Sequence, residues 1–358
     1  MPDSRLNKTE KAIISISRSV IIISILFLVV TGIFIITLFN MGTATVADHP
    51  SVKEPRTVSS PESSNEIKQA EISNASWTAP DESTLPSGKE GEAILYGKDL
   101  IAHTSTYLGP KGKVANISNG MNCQNCHLDA GTKPWGNNYS AVYSTYPKFR
   151  ARSGTKETTV KRINDCFERS LNGQPLDSTS KEMKAMLAYM KWLGSGVEKG
   201  KTPEGAGLQK LAFLDRAADS KKGALVYTNK CQSCHGKTGE GLPNAEQSGY
   251  LYPPLWGEKS YNDGAGLSRI IAFAGYVKNN MPLGATKENP QLTDEEAWDL
   301  AAYVNSKPRP HKDQSKDYQE IIKKPVDFAF GPYADKFSEA QHKYGPFQPI
   351  VSAGKKVK

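Results

Sequence analysis

The chain has 358 residues, of which 38% are hydrophobic, and its formal net charge is +8 at pH 7. This length allows two or three modest domains rather than one large core. The positive charge by itself admits nucleic acid, an anionic surface or small anions as partners, so the choice among them depends on the compartment in which the chain resides.

An apolar segment near the N-terminus predicts a membrane-spanning helix. Residues 20–39 read VIIISILFLVVTGIFIITLF, and about 20 apolar residues suffice to cross a bilayer. Basic residues dominate the segment before it, so the N-terminus is expected in the cytoplasm and everything after residue 40 outside. The alternative, a cleaved signal peptide, would have a shorter apolar core of about 7 to 15 residues. Residues 1–41 are therefore predicted to form a cytoplasmic stub and a transmembrane anchor.

Residues 42–76 are predicted to be a flexible linker. They are rich in Ser, Thr, Pro and Glu, as in SVKEPRTVSSPESSNEIKQ, and show no apolar periodicity. Such a composition cannot bury enough apolar surface to offset the entropy lost on ordering. The segment is expected to act as a solvated tether with a reach of roughly 30 Å.

From Trp77 onward the chain repeats one arrangement twice. Each copy has a helical stretch with a glycine, a Cys-x-x-Cys-His motif, a loop-rich segment and a closing helix. The closing helices are expected to start with capping boxes, Thr179 with Glu182 and Thr293 with Glu296. The predicted boundaries are 77–215 for the first domain, 216–310 for the second and 311–358 for a C-terminal extension.

Four of the five cysteines belong to the two Cys-x-x-Cys-His motifs, which comprise Cys123, Cys126 and His127, and Cys231, Cys234 and His235. In this motif each cysteine adds across a haem vinyl group and the histidine ligates the iron. A zinc or redox Cys-x-x-Cys pair would leave both histidines unexplained. Two covalently bound haem c groups are therefore predicted, with His127 and His235 as iron ligands.

Topology and haem attachment point to the same compartment. Haem of the c type is normally attached outside the bacterial inner membrane, where the predicted anchor places residues 42–358. We therefore expect an inner-membrane protein with periplasmic catalytic domains. Nucleic acid is then excluded as a partner, and small anions become the better interpretation of the positive charge.

The order helix, Cys-x-x-Cys-His, loop and helix resembles class I cytochrome c. The resemblance covers Trp77 to about Pro310 and implies an all-α fold of two consecutive class I cytochrome c domains. In that fold the second iron ligand comes from the loop before the closing helix, where the second copy has Met281. The alternative role for Met281 is core packing.

Cys166 occupies the corresponding place in the first copy, which has no methionine in that loop. The alternative role is a buried structural thiol, because a disulfide would require a cysteine already committed to haem. A thiolate on iron stabilises the ferric state and lowers the potential. Basic residues outnumber acidic ones in the surrounding loop, KFRARSGTKETTVKRINDCFERSLNG, which favours a nucleophilic thiolate.

The sequence around Cys166 is similar to the dihaem thiosulfate dehydrogenases, also called tetrathionate synthases. The matching segments are FRARSG, RINDCFERSLNG, NCHLDAGT, DFAFGPYADKF and QHKYGPFQPI. The resemblance extends from about Trp77 to the end of the chain. It implies reversible joining of two thiosulfates into tetrathionate at a haem with His and Cys ligands. The second haem would pass electrons to an external cytochrome c or similar carrier.

By the same resemblance, Arg152 and Arg162 are expected to bind substrate, and Ser170 to donate a hydroxyl hydrogen bond. Two thiosulfate dianions repel each other strongly, and arginine offers a planar fork of donors that keeps its charge. Some relatives carry a lysine before the second haem's methionine that can replace it on iron. Here that position is Asn280, so stable His235 and Met281 ligation is predicted in both oxidation states.

Two other functions compete with this interpretation. One is a membrane-anchored dihaem electron-transfer cytochrome c without its own substrate, which would have no evident use for Cys166 among arginines. The other is a Sox-like sulfur-transfer cytochrome, which would require a partner protein bearing an acceptor thiol. The C-terminal extension is expected to be irregular and without chemistry, with His311 and His342 at the surface.

Overall fold

The structure is a computed structural model that describes residues 21–22, 24–27, 77–246 and 248–355. The predicted linker, and the predicted anchor apart from residues 21–22 and 24–27, lie outside the described residues. Among the described residues, no helix is both long enough and apolar enough to cross a membrane. The described residues from Trp77 onward belong to one compact unit, Glu71–Lys358.

This unit is mainly helical. Its helices are α1 (Lys89–Ala102), α2 (Thr104–Leu108), α3 (Leu128–Gly131), α4 (Val142–Thr145), α5 (Thr159–Arg169), α6 (Lys181–Leu193), α7 (Ser220–Lys230), α8 (Gln232–His235), α9 (Ile270–Asn280), α10 (Asp294–Asn305), α11 (Glu339–Tyr344) and α12 (Gln348–Lys355). Two antiparallel hairpins, absent from the all-α expectation, pair β1 (Lys148–Arg150) with β2 (Thr155–Glu157) and β3 (Leu242–Pro243) with β4 (Tyr250–Tyr252).

The first core forms where α1 crosses the closing helix α6. Gly97 makes this crossing close, because a Cβ at that position would lie 2.1 Å from the carbonyl oxygen of Ala185. Leu100 and Ile101 of α1 and Tyr189 of α6 are buried at this crossing. The expected helix pair on either side of the first haem motif is therefore present.

The second core repeats this geometry with α7 and α10. Gly223 is the equivalent close contact, since a Cβ there would lie 1.9 Å from the carbonyl oxygen of Asp299. Tyr227 and Trp298 are buried beside it. The same helix crossing, formed around a glycine in both copies, confirms the internal repeat.

The closing helices begin differently from one another. Helix α10 has the predicted capping box, in which Thr293 and Glu296 bond each other's backbone N–H groups. Helix α6 does not, because Ser180 is its N-cap and accepts from the Met183 N–H, while Glu182 accepts from the Tyr96 hydroxyl at 2.9 Å. The predicted Thr179–Glu182 box is thus wrong: the helix starts one residue later than predicted.

The C-terminal extension contains more order than expected, including α11 and α12. His342 is only 2% exposed, so its predicted surface position is wrong. Its ring stacks on Tyr333 at 3.7 Å and lies within hydrogen-bond distance of the Val326 carbonyl and the Asp335 carboxylate. His311 is largely exposed, as predicted.

Candidate active site

The first Cys-x-x-Cys-His motif presents a histidine that is ready to bind iron. Nδ1 of His127 lies 2.6 Å from the carbonyl oxygen of Asn137. Because a carbonyl only accepts, Nδ1 carries the proton and Nε2 keeps its lone pair. Burial lowers the pKa of His127 to about 4, which keeps the ring neutral. The ring stacks on Tyr139, with 4.5 Å between the ring centroids.

The second motif repeats the arrangement. Nδ1 of His235 lies 2.8 Å from the carbonyl oxygen of Pro253, and burial lowers the pKa of His235. One cleft, here called the Met281 cleft, is lined by His235, Cys231, Cys234 and Met281. Its walls are largely apolar, with Leu267, Phe273, Leu300 and Val304 among them.

Cys166 lies in a second cleft together with Cys123, Cys126 and His127. We call it the Cys166 cleft. Ile101, Phe167, Met186 and Met190 supply apolar wall. The three methionines of α6 are buried in the first core, as expected for packing residues.

The residues present fit two haem c groups. All five cysteines are free, so no disulfide competes for them. Each cleft combines two thiols, a histidine with a free Nε2, and a sulfur-bearing residue supplied by another element, Cys166 or Met281. Met121, Asn122 and Cys126 line both clefts, so the two sites share a wall.

Helix α5 carries three polar side chains on one face. Thr158 caps the helix by accepting from the Lys161 N–H, and Ile163 and Phe167 bury the core side. Arg162, Cys166 and Ser170 follow at intervals of four residues, which places them in one row along the helix surface. All three line the Cys166 cleft.

Within this row, the Arg162 guanidinium forms a hydrogen bond with the Cys166 sulfur. Nη1 of Arg162 donates to Sγ of Cys166 at 3.0 Å. The Coulombic interaction with Cys166 raises the pKa of the Arg162 guanidinium further above its usual range. The helix thus holds a permanent cation against the sulfur, as a reactive thiolate requires.

The predicted substrate-binding residue Arg152 lies elsewhere. It does not line the cleft; its Nε is 3.8 Å from a carboxylate oxygen of Asp317 in the C-terminal extension. Asp317 also accepts two hydrogen bonds from Arg169, each of 2.8 Å. The structure therefore brings Arg162 and Ser170 to Cys166 and pairs Arg152 with the extension.

Two cations of the same loop that the sequence did not single out do line the cleft, Lys148 and Arg150. Both belong to β1, where side chains two residues apart share a face. The intervening Phe149 is exposed on the other face. The period of two could have identified this pair, but only if a strand had been predicted there.

The chain is similar in sequence to two family models and to several known proteins. A cytochrome c model matches residues 220–308, and the SoxA/TsdA cytochrome c domain model matches residues 113–198. Thiosulfate dehydrogenase from Psychrobacter arcticus is 40% identical over 241 residues, which are 67% of this chain and 70% of that protein. The chain belongs to the thiosulfate dehydrogenase family.

Other family members agree. Thiosulfate dehydrogenase from Allochromatium vinosum is 40% identical over 237 residues, covering 65% of this chain and 84% of that protein. The solved thiosulfate dehydrogenase (TsdBA) from Marichromatium purpuratum, in its as-isolated form, superposes with a TM-score of 0.61 at 34% identity over 66% of this chain. This chain spans half the length of that solved chain.

Family membership settles the architecture and the cofactors. Two cytochrome c domains are present, and the chain carries two covalently bound haem c groups. The limits 77–215 and 216–310 stay predictions.

Proposed function

We propose that this protein is a dihaem cytochrome c that oxidises thiosulfate and interconverts two thiosulfates with tetrathionate, with Cys166 as the reactive side chain. The observation that carries the proposal is the 3.0 Å hydrogen bond from Arg162 to the Cys166 sulfur inside a cleft that also contains the first haem motif. The family assignment supports thiosulfate as the substrate class.

The haem groups would be held by residues already placed in the two clefts. His127 and Cys166 would ligate the first iron, and His235 and Met281 the second. When bound, the two haems supply two one-electron acceptors, which together match the two electrons released per tetrathionate formed.

The sulfur chemistry then takes place at Cys166. The Cys166 thiolate and the terminal sulfur of the first thiosulfate form one S–S bond, and two electrons are released. The terminal sulfur of the second thiosulfate then attacks the sulfur atom of the first thiosulfate that is bonded to Cys166. Tetrathionate forms, the bond to Cys166 breaks, and the cysteine leaves as a thiolate. Reversal of these steps reduces tetrathionate.

Arg162 and Ser170 are assigned to the oxyanion and thiolate charges of this sequence. Two unit charges about 4 Å apart repel each other by roughly 4 kcal/mol at an effective dielectric constant of 20, and dianions by several times more. Arg162 offsets this repulsion and stabilises the departing thiolate from 3.0 Å. Ser170, one turn beyond Cys166 in the same cleft, supplies a hydroxyl donor to a sulfonate group.

Location and partners complete the proposal. The apolar length of residues 20–39 and the basic residues before them support an anchor in a bacterial inner membrane, with the N-terminus in the cytoplasm and the haem domains in the periplasm. An external cytochrome c or a similar carrier would exchange electrons with the second haem.

The competing functions are less compatible with the Cys166 cleft. An electron relay has no use for a cation-lined cleft beside one haem motif. A Sox-like sulfur transferase needs a partner protein with an acceptor thiol. In the reaction proposed here, the second thiosulfate regenerates the Cys166 thiolate, so no partner thiol is required.

The test uses the haem-loaded full chain in both directions: thiosulfate with an electron acceptor, and tetrathionate with a reduced dye. We expect turnover in both assays, and its near-complete loss in Cys166→Gly with both haems still attached. Intact haem with no turnover of either substrate by the wild-type protein would contradict the proposal and favour the relay. Undiminished turnover by Cys166→Gly would instead remove the role of the cysteine.

A further inference from the structure

Two basic side chains of β1, the first strand of the β1–β2 hairpin, line the Cys166 cleft. Lys148 and Arg150 line it, and both are half-buried, whereas Phe149 between them is 51% exposed. Lys156 lies opposite Phe149 in the hairpin and is exposed as well. One face of the hairpin therefore belongs to the cleft and the other to solvent.

These cations lack the carboxylate partners that other cations of the region have, and the Lys148 ammonium instead lies 5.1 Å from the centroid of the Tyr146 ring. Within the described part of the chain, no Asp or Glu side chain lines the cleft, and neither Lys148 nor Arg150 forms an ion pair with one. By contrast, Arg152 and Arg169 share Asp317, and Lys161 pairs with Asp165. Glu157 lies opposite Lys148 in the hairpin and is buried, but it forms no ion pair with Lys148.

The pKa of Lys148 reflects its buried and cationic surroundings. Burial, and then the charges of Arg150 and Arg162, lower the pKa of its ammonium group. Lys148 and Arg150 thus add two cations to the cleft in which Arg162 already pairs with the Cys166 sulfur. An arrangement of this kind is stabilised when an anion enters, because the anion removes the repulsion and satisfies the donors.

The reaction needs more than one anion site. Tetrathionate has a sulfonate group at each end and its reactive S–S bonds between them. Arg162 is held at the Cys166 sulfur, so it serves the thiosulfate joined to that sulfur. A second site must hold the thiosulfate that attacks, and the only other cations of the described residues that line the cleft are Lys148 and Arg150.

We propose that Lys148 and Arg150 form the binding site for the second thiosulfate, and for the far sulfonate of tetrathionate in the reverse direction. This inference rests on the proposed function. The attacking thiosulfate is held by these two cations, forms the new S–S bond, and the Cys166 sulfur leaves with the electron pair of the bond that breaks. No other reactant is consumed in this step.

The test separates the two halves of the reaction in Lys148→Gln, Arg150→Gln and the double variant. Lys156→Gln is the matched control, because it removes a cation from the solvent face of the same hairpin. Stopped-flow mixing with thiosulfate, without an acceptor, measures haem reduction during the first bond formation. Intact-mass measurement of the quenched protein detects thiosulfate bound to Cys166. Steady-state assays give kcat and KM in both directions.

In each single variant we expect kcat/KM for thiosulfate to fall about tenfold, as for the loss of one hydrogen bond to a charged group. First-turnover haem reduction should stay within about threefold of the wild type, since Arg162, which is held at the Cys166 sulfur, is unchanged in these variants. The Cys166 adduct should therefore accumulate in the double variant. Lys148→Arg and Arg150→Lys should retain most of the turnover, which separates loss of charge from misfolding.

If the wild-type protein is active and the double variant matches Lys156→Gln in kcat, KM and adduct level, the inference is wrong while the proposed function stands. If the charge-conserving variants are as impaired as the glutamine variants, the positive charge is not what matters and the inference is likewise wrong. If the wild-type protein neither forms nor reduces tetrathionate, the proposed function fails first.

Discussion

Arg162 and Cys166 face each other across one turn of α5, with the guanidinium Nη1 donating to Sγ at 3.0 Å. The spacing of four residues makes this contact a property of the helix rather than of a flexible loop. A cation fixed in this way can stabilise the cysteine sulfur both as a nucleophile and as a leaving group.

Replacing Arg162 with Gln should lower kcat for tetrathionate formation about 10- to 100-fold, the usual effect of losing a charge-assisted hydrogen bond. The kcat of Arg162→Lys should lie between those of the wild-type protein and Arg162→Gln, because a lysine keeps the charge without the planar fork. Steady-state kinetics on haem-loaded protein measures both. Lys161→Gln, at the adjacent and more exposed position, is the control, and an equal loss there would contradict a specific role for Arg162.

Asp317 joins the C-terminal extension to the first domain through Arg169 and Arg152. Its side chain is 9% exposed and that of Arg169 is 10% exposed. Asp317→Asn should leave two mostly buried guanidinium groups without a charge partner, at a cost of about 3 to 5 kcal/mol. We expect a fall in Tm of at least about 5 °C, measured by thermal unfolding.

Glu320→Gln removes a carboxylate from an exposed ion pair of the same extension and should change Tm very little. Equal effects of the two substitutions would show that the Asp317 cluster is not what holds the extension. Tyr318 of the extension also donates its N–H to the Arg152 carbonyl at 2.7 Å, two residues after Arg150 in the wall of the Cys166 cleft. If Asp317→Asn loosens the extension, this wall should shift and KM for thiosulfate should rise.

Gly97 and Gly223 make the two equivalent helix crossings possible. An alanine at either position would bring Cβ to about 2 Å from a carbonyl oxygen of the closing helix, so the helices would have to separate. Overpacking of this kind typically costs about 1 to 3 kcal/mol. Each variant should lower Tm, whereas Gly196→Ala, which meets nothing within 4 Å, should not. Unchanged unfolding of Gly97→Ala would contradict the tight crossing.

Met281 is expected to ligate the second haem iron in both oxidation states, since Asn280 cannot replace it. Met281→Ala should retain covalently bound haem but lose the methionine-to-iron charge-transfer band of the oxidised protein, and the potential of this haem should fall. Absorption spectroscopy and redox titration measure these effects. Leu225→Ala, at a site 67% exposed and outside the lining of the Met281 cleft, should change neither, and a wild-type spectrum without the band would refute the ligation.

The haem chemistry and the internal repeat can be predicted from the amino-acid sequence alone. Cysteine and histidine spacing defines c-type haem attachment without any knowledge of the fold, because the reaction depends on a local motif. Helical spacing of apolar residues likewise predicted the helices on either side of each motif, and the spacing of Arg162, Cys166 and Ser170 follows from helix geometry once α5 is recognised.

Which cations lie near the Cys166 sulfur depends on long-range packing, which local sequence patterns do not reveal. Arg150 and Arg152 are two residues apart in sequence, but β1 ends at Arg150 and the chain then turns, so Arg150 lines the cleft while Arg152 meets Asp317. Asp317 lies 165 positions after Arg152 in the sequence, and no local pattern couples them. His342 was misplaced for the same reason, since its burial depends on packing against Tyr333. Local spacing determines which chemical groups are available, whereas long-range packing determines which of them face the same cleft.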